Sequence, residues 1–233
     1  MDHRVAIVAG GTGLVGGHLL KELLLDPDWE KVYAFTRRPL SLSHSKLEIV
    51  QVDWDRLPDF PPGVTDAFAA LGTTMKRAKT KENFRKTDYE YTLSFAKAAK
   101  ASGVSHFSLV SSLGADQHSL VFYNKVKGEV EEAVVDLKFP YCGIFRPSLL
   151  EGDRSEFRFG EKIGSFLALF INPLLIGPAR KYRSIQASTV AKAMVNAVWA
   201  GQKGTYRMES DRIQELGASS VRPNIPDLLK KIS

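Results

Sequence analysis

The chain has 233 residues, of which 44% are hydrophobic and 25% are charged, and it contains 18 glycines, 11 prolines and one cysteine. This composition is typical of a folded globular protein and excludes the disordered, collagen-like and coiled-coil classes. Its 32 basic and 26 acidic residues leave a net charge of +6, which favours anionic ligands but is too dispersed to indicate a nucleic-acid partner.

The cysteine and the apolar segments bear on where the protein works. Cys142 is a single thiol that makes no internal disulfide, so we expect a reducing compartment. The apolar stretch Val5–Ala9 is followed at once by glycines, unlike a secretory signal. The longest apolar segment, 163–177, is interrupted by Asn172-Pro173 and is shorter than the roughly 20 residues of a membrane span. We therefore predict a cytoplasmic protein without integral membrane contact.

Short β-branched runs alternate along the chain with stretches of helical periodicity, an order typical of βαβ units. The predicted strands are Val5–Ala9, Lys31–Thr36, Leu47–Val52, Ala67–Ala70, Phe107–Ser111 and Tyr141–Arg146. The predicted helices are Leu14–Leu25, Glu82–Ser102, Leu120–Leu137 and one from Ser188 to the glycines at 201 and 204. The sequence therefore predicts an α/β fold, a single Rossmann-type domain over residues 1–233 with a doubly wound parallel sheet. Residues 151–183 and 205–233 are expected to elaborate the substrate side and the C-terminus.

A glycine-rich loop directly follows the first predicted strand and opens the first predicted helix. Its residues are Gly10, Gly11, Thr12, Gly13, Leu14, Val15 and Gly16. Glycines at these spacings permit a tight turn and let the backbone approach a pyrophosphate, whose charge is favoured by the N-terminus of the helix. The loop therefore predicts a dinucleotide site, with a glycine-rich turn that binds nothing as the alternative.

The residues after the next three strands indicate which dinucleotide is bound. Arg37 and Arg38 directly follow the second strand, where NAD-binding proteins carry an acidic residue for the ribose. Guanidinium groups bind phosphate through paired hydrogen bonds, so we predict NADP(H), with two solvated arginines as the alternative. Asp53 follows the third strand and is expected at the adenine. After the fourth strand, Leu71 is followed by Gly72-Thr73-Thr74, which is expected to pass the adenine ribose.

A serine pair and a Tyr-x-x-x-Lys pattern follow the fifth predicted strand. Ser111 and Ser112 end that strand, and Tyr123 and Lys127 lie at the start of the next helix. A spacing of four places phenol and ammonium on one helix face, where the ammonium stabilises a phenolate. This set fits hydride transfer at a carbonyl or alcohol: Tyr123 moves the proton, Ser112 binds the substrate oxygen and Lys127 holds the nicotinamide ribose. Taken alone, the Tyr/Lys pair also fits a solvated helix face.

Three stretches carry a resemblance to a known family: SSLGADQHSLVFYNKVKGEVEEAV from Ser111, LGTT at Leu71–Thr74, and FRPSLLEGDR from Phe145. From about Val5 to Val198 the chain resembles the atypical short-chain dehydrogenase/reductases, and within them the Tat-interacting-protein/CC3 oxidoreductase group. The resemblance implies an NADPH-binding fold in which the serine, tyrosine and lysine have the roles given above.

The resemblance also implies individual roles. Ser112 corresponds to the catalytic serine, with Ser111 as the fallback. The turn Pro147-Ser148-Leu149 is implied to present its backbone to the nicotinamide amide. The superfamily often carries a proton-relay asparagine on the fourth helix, and this chain shows no clear counterpart, because Asn83 lies too early in that helix. The route of proton exit is therefore open.

The resulting functional hypothesis is an NADPH-dependent oxidoreductase, a monomer or homodimer, that acts on a small, apolar carbonyl or alcohol. The apolar character is inferred from the segment between Glu151 and Arg183, whose phenylalanines are Phe157, Phe159, Phe166 and Phe170. These rings could equally pack a lid against the sheet. The alternatives are a dinucleotide-binding regulatory protein that acts through protein partners, and an epimerase with a tightly held cofactor.

Two further groups of residues have plain interpretations. The histidines show no metal-ligand spacing, so no metal is expected; they are His3, His18, His44, His106 and His118. The basic run 76–81 is expected to be a solvated loop, with a rim for an acidic substrate as the alternative.

Overall fold

A parallel sheet of seven strands forms the centre of the protein, whose computed structural model describes residues 4–152, 175, 177–199 and 203–218. Its strands are β1 (Arg4–Ala9), β2 (Trp29–Thr36), β3 (Leu47–Gln51), β4 (Asp66–Ala69), β5 (His106–Val110), β6 (Tyr141–Arg146) and β9 (Gly204–Glu209). They lie in the order β3-β2-β1-β4-β5-β6-β9, and every neighbouring pair is parallel. Two short strands, β7 (Leu150–Glu151) and β8 (Ile185–Gln186), form a separate parallel pair.

Helices cover both faces of the sheet. They are α1 (Leu14–Leu25), α2 (Met75–Ala78), α3 (Lys81–Arg85), α4 (Tyr91–Ala101), α5 (Phe122–Val135), α6 (Ala187–Trp199) and α7 (Ser210–Ala218). A π-helical turn, Lys86–Glu90, joins α3 to α4, and a 3₁₀ turn spans Gly177–Tyr182. Helices α1, α6 and α7 pack on one face of the sheet, and α4 and α5 pack on the other.

The apolar runs of the sequence form the strands that are covered on both faces. In β1, Ala6 and Val8 join the core beneath α1 and α6, while Ile7 and Ala9 join the core beneath α4. All four side chains are fully buried, which is why this strand is a continuous apolar run rather than an alternating one. The doubly wound parallel sheet predicted from the sequence is confirmed.

The strand order reverses at β1, which pairs with β2 on one side and with β4 on the other. In open α/β sheets, ligands bind outside the carboxyl ends of the strands at such a point, because the loops of the two halves diverge there and leave a crevice. The glycine loop follows β1, and the predicted site segments follow β2, β3, β4, β5 and β6. The topology therefore gathers them at one edge of the sheet.

Several boundaries differ from the sequence-based expectation. The helix expected at Glu82–Ser102 is divided into α3, the π-helical turn and α4, and the basic run expected as a loop begins inside α2. The start of the expected C-terminal elaboration is instead β9, an edge strand beside β6. Its sequence, GTYRME, has a single buried residue, Met208, and lacks the apolar run by which the other strands are recognised.

Parts of the chain discussed above lie outside the described residues. They include the four phenylalanines of the expected substrate cover and residues 219–233. Among the helices that the structure does describe, none combines the length and the apolar character that crossing a bilayer requires.

Candidate functional site

The glycine loop is held tightly between β1, β4 and α1. Gly10 has φ +90°, and a Cβ there would lie 2.4 Å from the carbonyl oxygen of Ala70. A Cβ on Gly16 would lie 2.1 Å from the carbonyl oxygen of Gly10, which also accepts a hydrogen bond of 2.8 Å from the Gly13 N–H. Helix α1 begins at Leu14, and no side chain of the described residues caps its N-terminus. In the described part of the chain, the start of α1 therefore lacks a side-chain hydrogen-bond acceptor, as a phosphate cradle requires.

The loop geometry predicts different outcomes for two alanine substitutions. Gly16→Ala is expected to destabilise the protein by about 1–3 kcal/mol, because the new methyl group meets a backbone oxygen that cannot move freely. Gly17→Ala is the matched control and should change stability little, since Gly17 also lies on α1 and its Cβ would lie 3.6 Å from the Gly11 carbonyl oxygen, an ordinary contact distance. Thermal unfolding of both variants checks this. A Gly16→Ala melting temperature equal to that of the parent would contradict the loop geometry.

The two arginines after β2 are exposed and lie beside the end of β3. The Thr36 hydroxyl donates to the Arg38 carbonyl oxygen at 2.8 Å, and the Gln51 amide donates to the Arg37 carbonyl oxygen at 3.2 Å. The loop backbone is thus held by the strand ends. Within the described part of the chain, neither guanidinium has a hydrogen-bond or ion-pair partner. Asp53 is exposed, and its Oδ1 accepts the N–H of Asp55 at 3.0 Å.

The segment after β4 reaches the middle of the site. The Thr73 N–H donates to Asp88 Oδ2 at 2.9 Å, and the Thr74 hydroxyl caps α2. A Cβ on Gly72 would lie 3.5 Å from Asp88 Oδ1 and 3.7 Å from Lys127 Nζ. The structure therefore places this segment against the predicted catalytic lysine, and its expected passage beside the adenine ribose stays a prediction.

Tyr123 and Lys127 occupy consecutive turns of α5, at its start. The Lys127 ammonium is almost completely buried and lies 2.7 Å from Oδ1 of the buried Asp88. Burial by itself lowers the pKa of Lys127, but the charges of Asp88, Tyr123 and Glu131 outweigh it, so its pKa is raised. The lysine consequently remains protonated at neutral pH in a site shielded from water.

Asp88 is the functional candidate that sequence reasoning missed. It lies on the π-helical turn, and π-helical turns occur frequently at functional sites. Asn83, the asparagine considered from the sequence for the proton relay, is hydrogen-bonded within its own segment: its side-chain amide donates to the Ala78 carbonyl oxygen, and its backbone N–H donates to the Thr80 hydroxyl. The available signal was the spacing of Asp88, which lies four residues after the buried Phe84 and therefore on the same face of the predicted helix.

The two serines after β5 have different environments. Ser111 is buried, and its hydroxyl donates to the carboxylate of Glu131, which also accepts 3.0 Å hydrogen bonds from Arg146 Nε. The Ser112 hydroxyl is partly exposed, and its contact in the described structure is a long one of 3.4 Å to the Leu113 carbonyl oxygen. Ser112 therefore has a hydroxyl that a substrate could reach, while Ser111 is part of a buried charged cluster.

Several backbone groups of the turn after β6 form hydrogen bonds with other parts of the protein. The Ser148 N–H donates to Ser210 Oγ at 2.7 Å. The Pro147 and Leu149 carbonyl oxygens accept the N–H groups of Leu113 and Ile185, each at 2.9 Å. These three backbone groups are therefore already hydrogen-bonded within the protein, and only the other backbone groups of the turn could bind the nicotinamide amide.

The residues that the structure describes provide neither a metal site nor a reactive thiol. Among them, no group of three or more His, Cys, Asp or Glu residues is placed to hold a metal ion. Cys142 lies in β6, and burial raises the pKa of its thiol to about 12. A thiol with that pKa is not a nucleophile at neutral pH.

Comparisons with known proteins agree with a dinucleotide-binding fold. The NAD(P)H-binding family model matches residues 10–198. Rat protein HTATIP2 is 35% identical over 232 residues, covering 97% of this chain and 94% of its own. The mitochondrial protein FMP52 of Candida glabrata is 34% identical over 230 residues, covering 95% of each chain.

Solved structures with lower identity share the fold. MoeE5 in complex with UDP-glucose and NAD gives a TM-score of 0.66 at 16% identity, over 91% of this chain and 80% of that chain. Human epimerase family protein SDR39U1 with NADPH gives 0.59 at 19% identity, over 92% and 79%.

Proposed function

The chain belongs to the NAD(P)H-binding family, among the atypical short-chain dehydrogenase/reductases related to HTATIP2 and FMP52, and from this membership we propose that it is an NADPH-dependent oxidoreductase. Its substrate is a small, apolar carbonyl compound or the corresponding alcohol. The observation that carries the proposal is the buried Lys127, held charged by Asp88 one helical turn from Tyr123. A buried ammonium on the next turn from a tyrosine supports proton transfer, because its positive charge favours the phenolate form of Tyr123.

The residues around the crevice fit this cofactor. The tight glycine loop admits no Cβ at Gly10 or Gly16, and it leaves the first turn of α1 open to a pyrophosphate. Arg37 and Arg38 would hold the 2′-phosphate, and Lys127 would hold the nicotinamide ribose. Asp53 would lie beside the adenine.

The protein's own residues handle the proton. NADPH supplies the hydride when it is bound. Ser112 donates a hydrogen bond to the substrate oxygen, and Tyr123 transfers its phenolic proton to that oxygen, so that the carbonyl gains a hydride and a proton and becomes an alcohol. The Lys127 ammonium stabilises the phenolate that Tyr123 leaves behind. Asp88 acts through Lys127 as a positioning residue, and through Thr73 it ties the loop after β4 to the same point.

The preference for NADPH is expected to depend on the arginines. Arg37→Ala should cost about 1–3 kcal/mol of NADPH binding, because a charge-assisted hydrogen bond to phosphate is lost, and should leave NADH binding nearly unchanged. Arg212→Ala is the matched control, since Arg212 lies on α7 at the far end of the sheet from β2. Calorimetry with both cofactors checks this. Equal affinity of the parent protein for NADPH and NADH would remove the role of the arginines.

The proposed activity is tested by a screen of carbonyl compounds with NADPH, read as loss of the reduced-nicotinamide absorbance. We expect turnover with apolar aldehydes or ketones and little with sugars. NADPH binding without turnover of any carbonyl compound would instead favour a regulatory protein.

The cytoplasm is the proposed location, and cell fractionation tests it against the mitochondrion, which the names of the FMP52 relatives suggest.

A further inference from the structure

A cavity of about 340 Å³ opens at the amino edge of the sheet, opposite the edge that carries the proposed active site. Arg4, His106 and Tyr141 line it from the starts of β1, β5 and β6, and Trp199 and Lys203 line it from the end of α6 and the approach to β9. We refer to it as the amino-edge pocket. Its volume lies within the range of about 300–1,000 Å³ that is usual for small-molecule sites.

The fixed charges of the amino-edge pocket leave an excess of positive charge. Arg4 forms two hydrogen bonds with Asp66, from Nε to Oδ2 at 3.0 Å and from Nη2 to Oδ1 at 2.5 Å. Thr65 adds a third hydrogen bond to Oδ2, and the Asp66 carboxylate is fully buried. Lys203 is exposed, and within the described residues its ammonium has no hydrogen-bond or ion-pair partner. Since Asp66 is already neutralised by Arg4, the charge of Lys203 is left for a ligand.

His106 adds a neutral hydrogen-bond donor. Its Nδ1 lies 3.0 Å from Arg4 Nη2 and 2.8 Å from Ser105 Oγ. A guanidinium can only donate, so Nδ1 must accept, and the ring proton is placed on Nε2. Burial lowers the pKa of His106 most strongly, with Asp66 opposing and Arg4 adding to the decrease, so the ring is neutral at pH 7. No hydrogen bond within the described structure uses Nε2, which therefore remains a free donor.

The remaining walls of the pocket are flat and largely apolar. The His106 ring stacks on the Tyr141 ring, with centroids 5.5 Å apart and an angle of 30° between the planes. Trp199 packs against the other side of the network, with its ring centroid 5.1 Å from Arg4 Cζ. Such walls favour a planar ligand over a strongly hydrated one.

We propose that the amino-edge pocket binds a small organic anion with a planar apolar body, whose carboxylate accepts hydrogen bonds from Lys203 and His106. The proposal is independent of the oxidoreductase function, because it uses residues at the opposite edge of the sheet. It assigns a ligand class to a group of residues that the cofactor chemistry leaves unused.

The test is an NMR titration of the full chain with benzoate, and with benzyl alcohol as its uncharged counterpart. Benzoate should shift the indole signals of Trp29 and Trp199, which flank Arg4, but not that of Trp54, which lies in the core on the other face of the sheet. Saturable binding in the millimolar range is expected, and benzyl alcohol should bind much more weakly.

Two lysine variants locate the anion site. Lys203→Ala should weaken benzoate binding about tenfold, the effect of one charge-assisted hydrogen bond at a partly exposed position. Lys97→Ala, an exposed lysine on α4, should leave it unchanged. The proposal is overturned by an absence of saturable benzoate binding, by equal binding of benzyl alcohol, by undiminished binding in Lys203→Ala, or by shifts confined to Trp54.

Discussion

Replacing Tyr123 with phenylalanine is expected to lower the rate of carbonyl reduction by about 10²–10⁴-fold, the contribution of a positioned general acid. The ring is kept, so its packing against Phe84, at 5.4 Å between centroids, should be retained. The hydroxyl that protonates the substrate oxygen is lost. Because this hydroxyl acts on the substrate, NADPH affinity should change little, and the deficit should appear in kcat.

Tyr33→Phe is the matched control for this prediction. Tyr33 lies in β2, away from α5, and makes a cation–π contact with Lys31. Steady-state kinetics and cofactor titration of both variants separate chemistry from binding. If Tyr123→Phe kept half or more of the parental kcat with the best substrate of the screen, Tyr123 would not be the proton donor.

Replacing Asp88 with asparagine is expected to have the largest effect on stability. The substitution keeps the shape but removes the negative charge that lies 2.7 Å from the buried Lys127 ammonium. Breaking a buried ion pair in this way costs about 3–5 kcal/mol, because one charge remains buried without its partner. Asp55→Asn is the matched control: Asp55 pairs with Lys86 at 2.8 Å on the surface, where the charges are solvated, and little change is expected.

The pH dependence of this effect follows from the lysine. In the parent protein, the pKa of Lys127 is raised above 10.5, so the stability from the pair is present at neutral pH and is lost as the pH rises through the folded-state value. In Asp88→Asn, we expect burial to outweigh the remaining influences of Tyr123 and Glu131, so that the pKa of Lys127 falls. The loss of stability in Asp88→Asn is then largest at pH values at which Lys127 is protonated in the unfolded chain.

The difference in unfolding free energy between the parent and Asp88→Asn should therefore be largest near pH 7 and narrow as the pH approaches about 10.4, the pKa of an unperturbed lysine. Chemical denaturation at several pH values measures it. A difference that stays constant across this range would show that Asp88 acts by packing and not through the charge of Lys127.

The sequence predicts the buried strands more readily than the buried ion pairs. Burial of a strand requires a run of apolar residues, which is visible in the sequence, whereas the partner of a buried charge comes from another element of the fold. The strands covered on both faces are continuous apolar runs. Glycines occur after β1 because the backbone of neighbouring residues lies too close to Gly10 and Gly16 for a side chain. Strand β9 was not predicted because it is an edge strand with exposed residues and therefore has no continuous apolar run. Asp88 and Glu131 were not predicted because a carboxylate in a polar helix resembles a solvated residue until its partner from another element is known.

Both buried carboxylates nevertheless have positions in the sequence that could have identified them as buried. Glu131 follows Tyr123 and Lys127 at a spacing of four residues, so all three share one face of α5. Asp88 precedes the buried Thr92 by the same spacing. A charged residue on the buried face of a helix requires a partner, and Lys127 was the buried cation that needed one.

The most direct test of the proposed function follows deuterium from NADPH, labelled at the position of the transferred hydride, into the product of the best carbonyl substrate. We expect one deuterium on the carbinol carbon for each NADPH consumed, formed by the parent protein and slowed about 10²–10⁴-fold in Tyr123→Phe. A protein that binds NADPH but transfers no deuterium to any carbonyl compound of a broad panel, while binding another protein only when the dinucleotide is present, would contradict the proposed function.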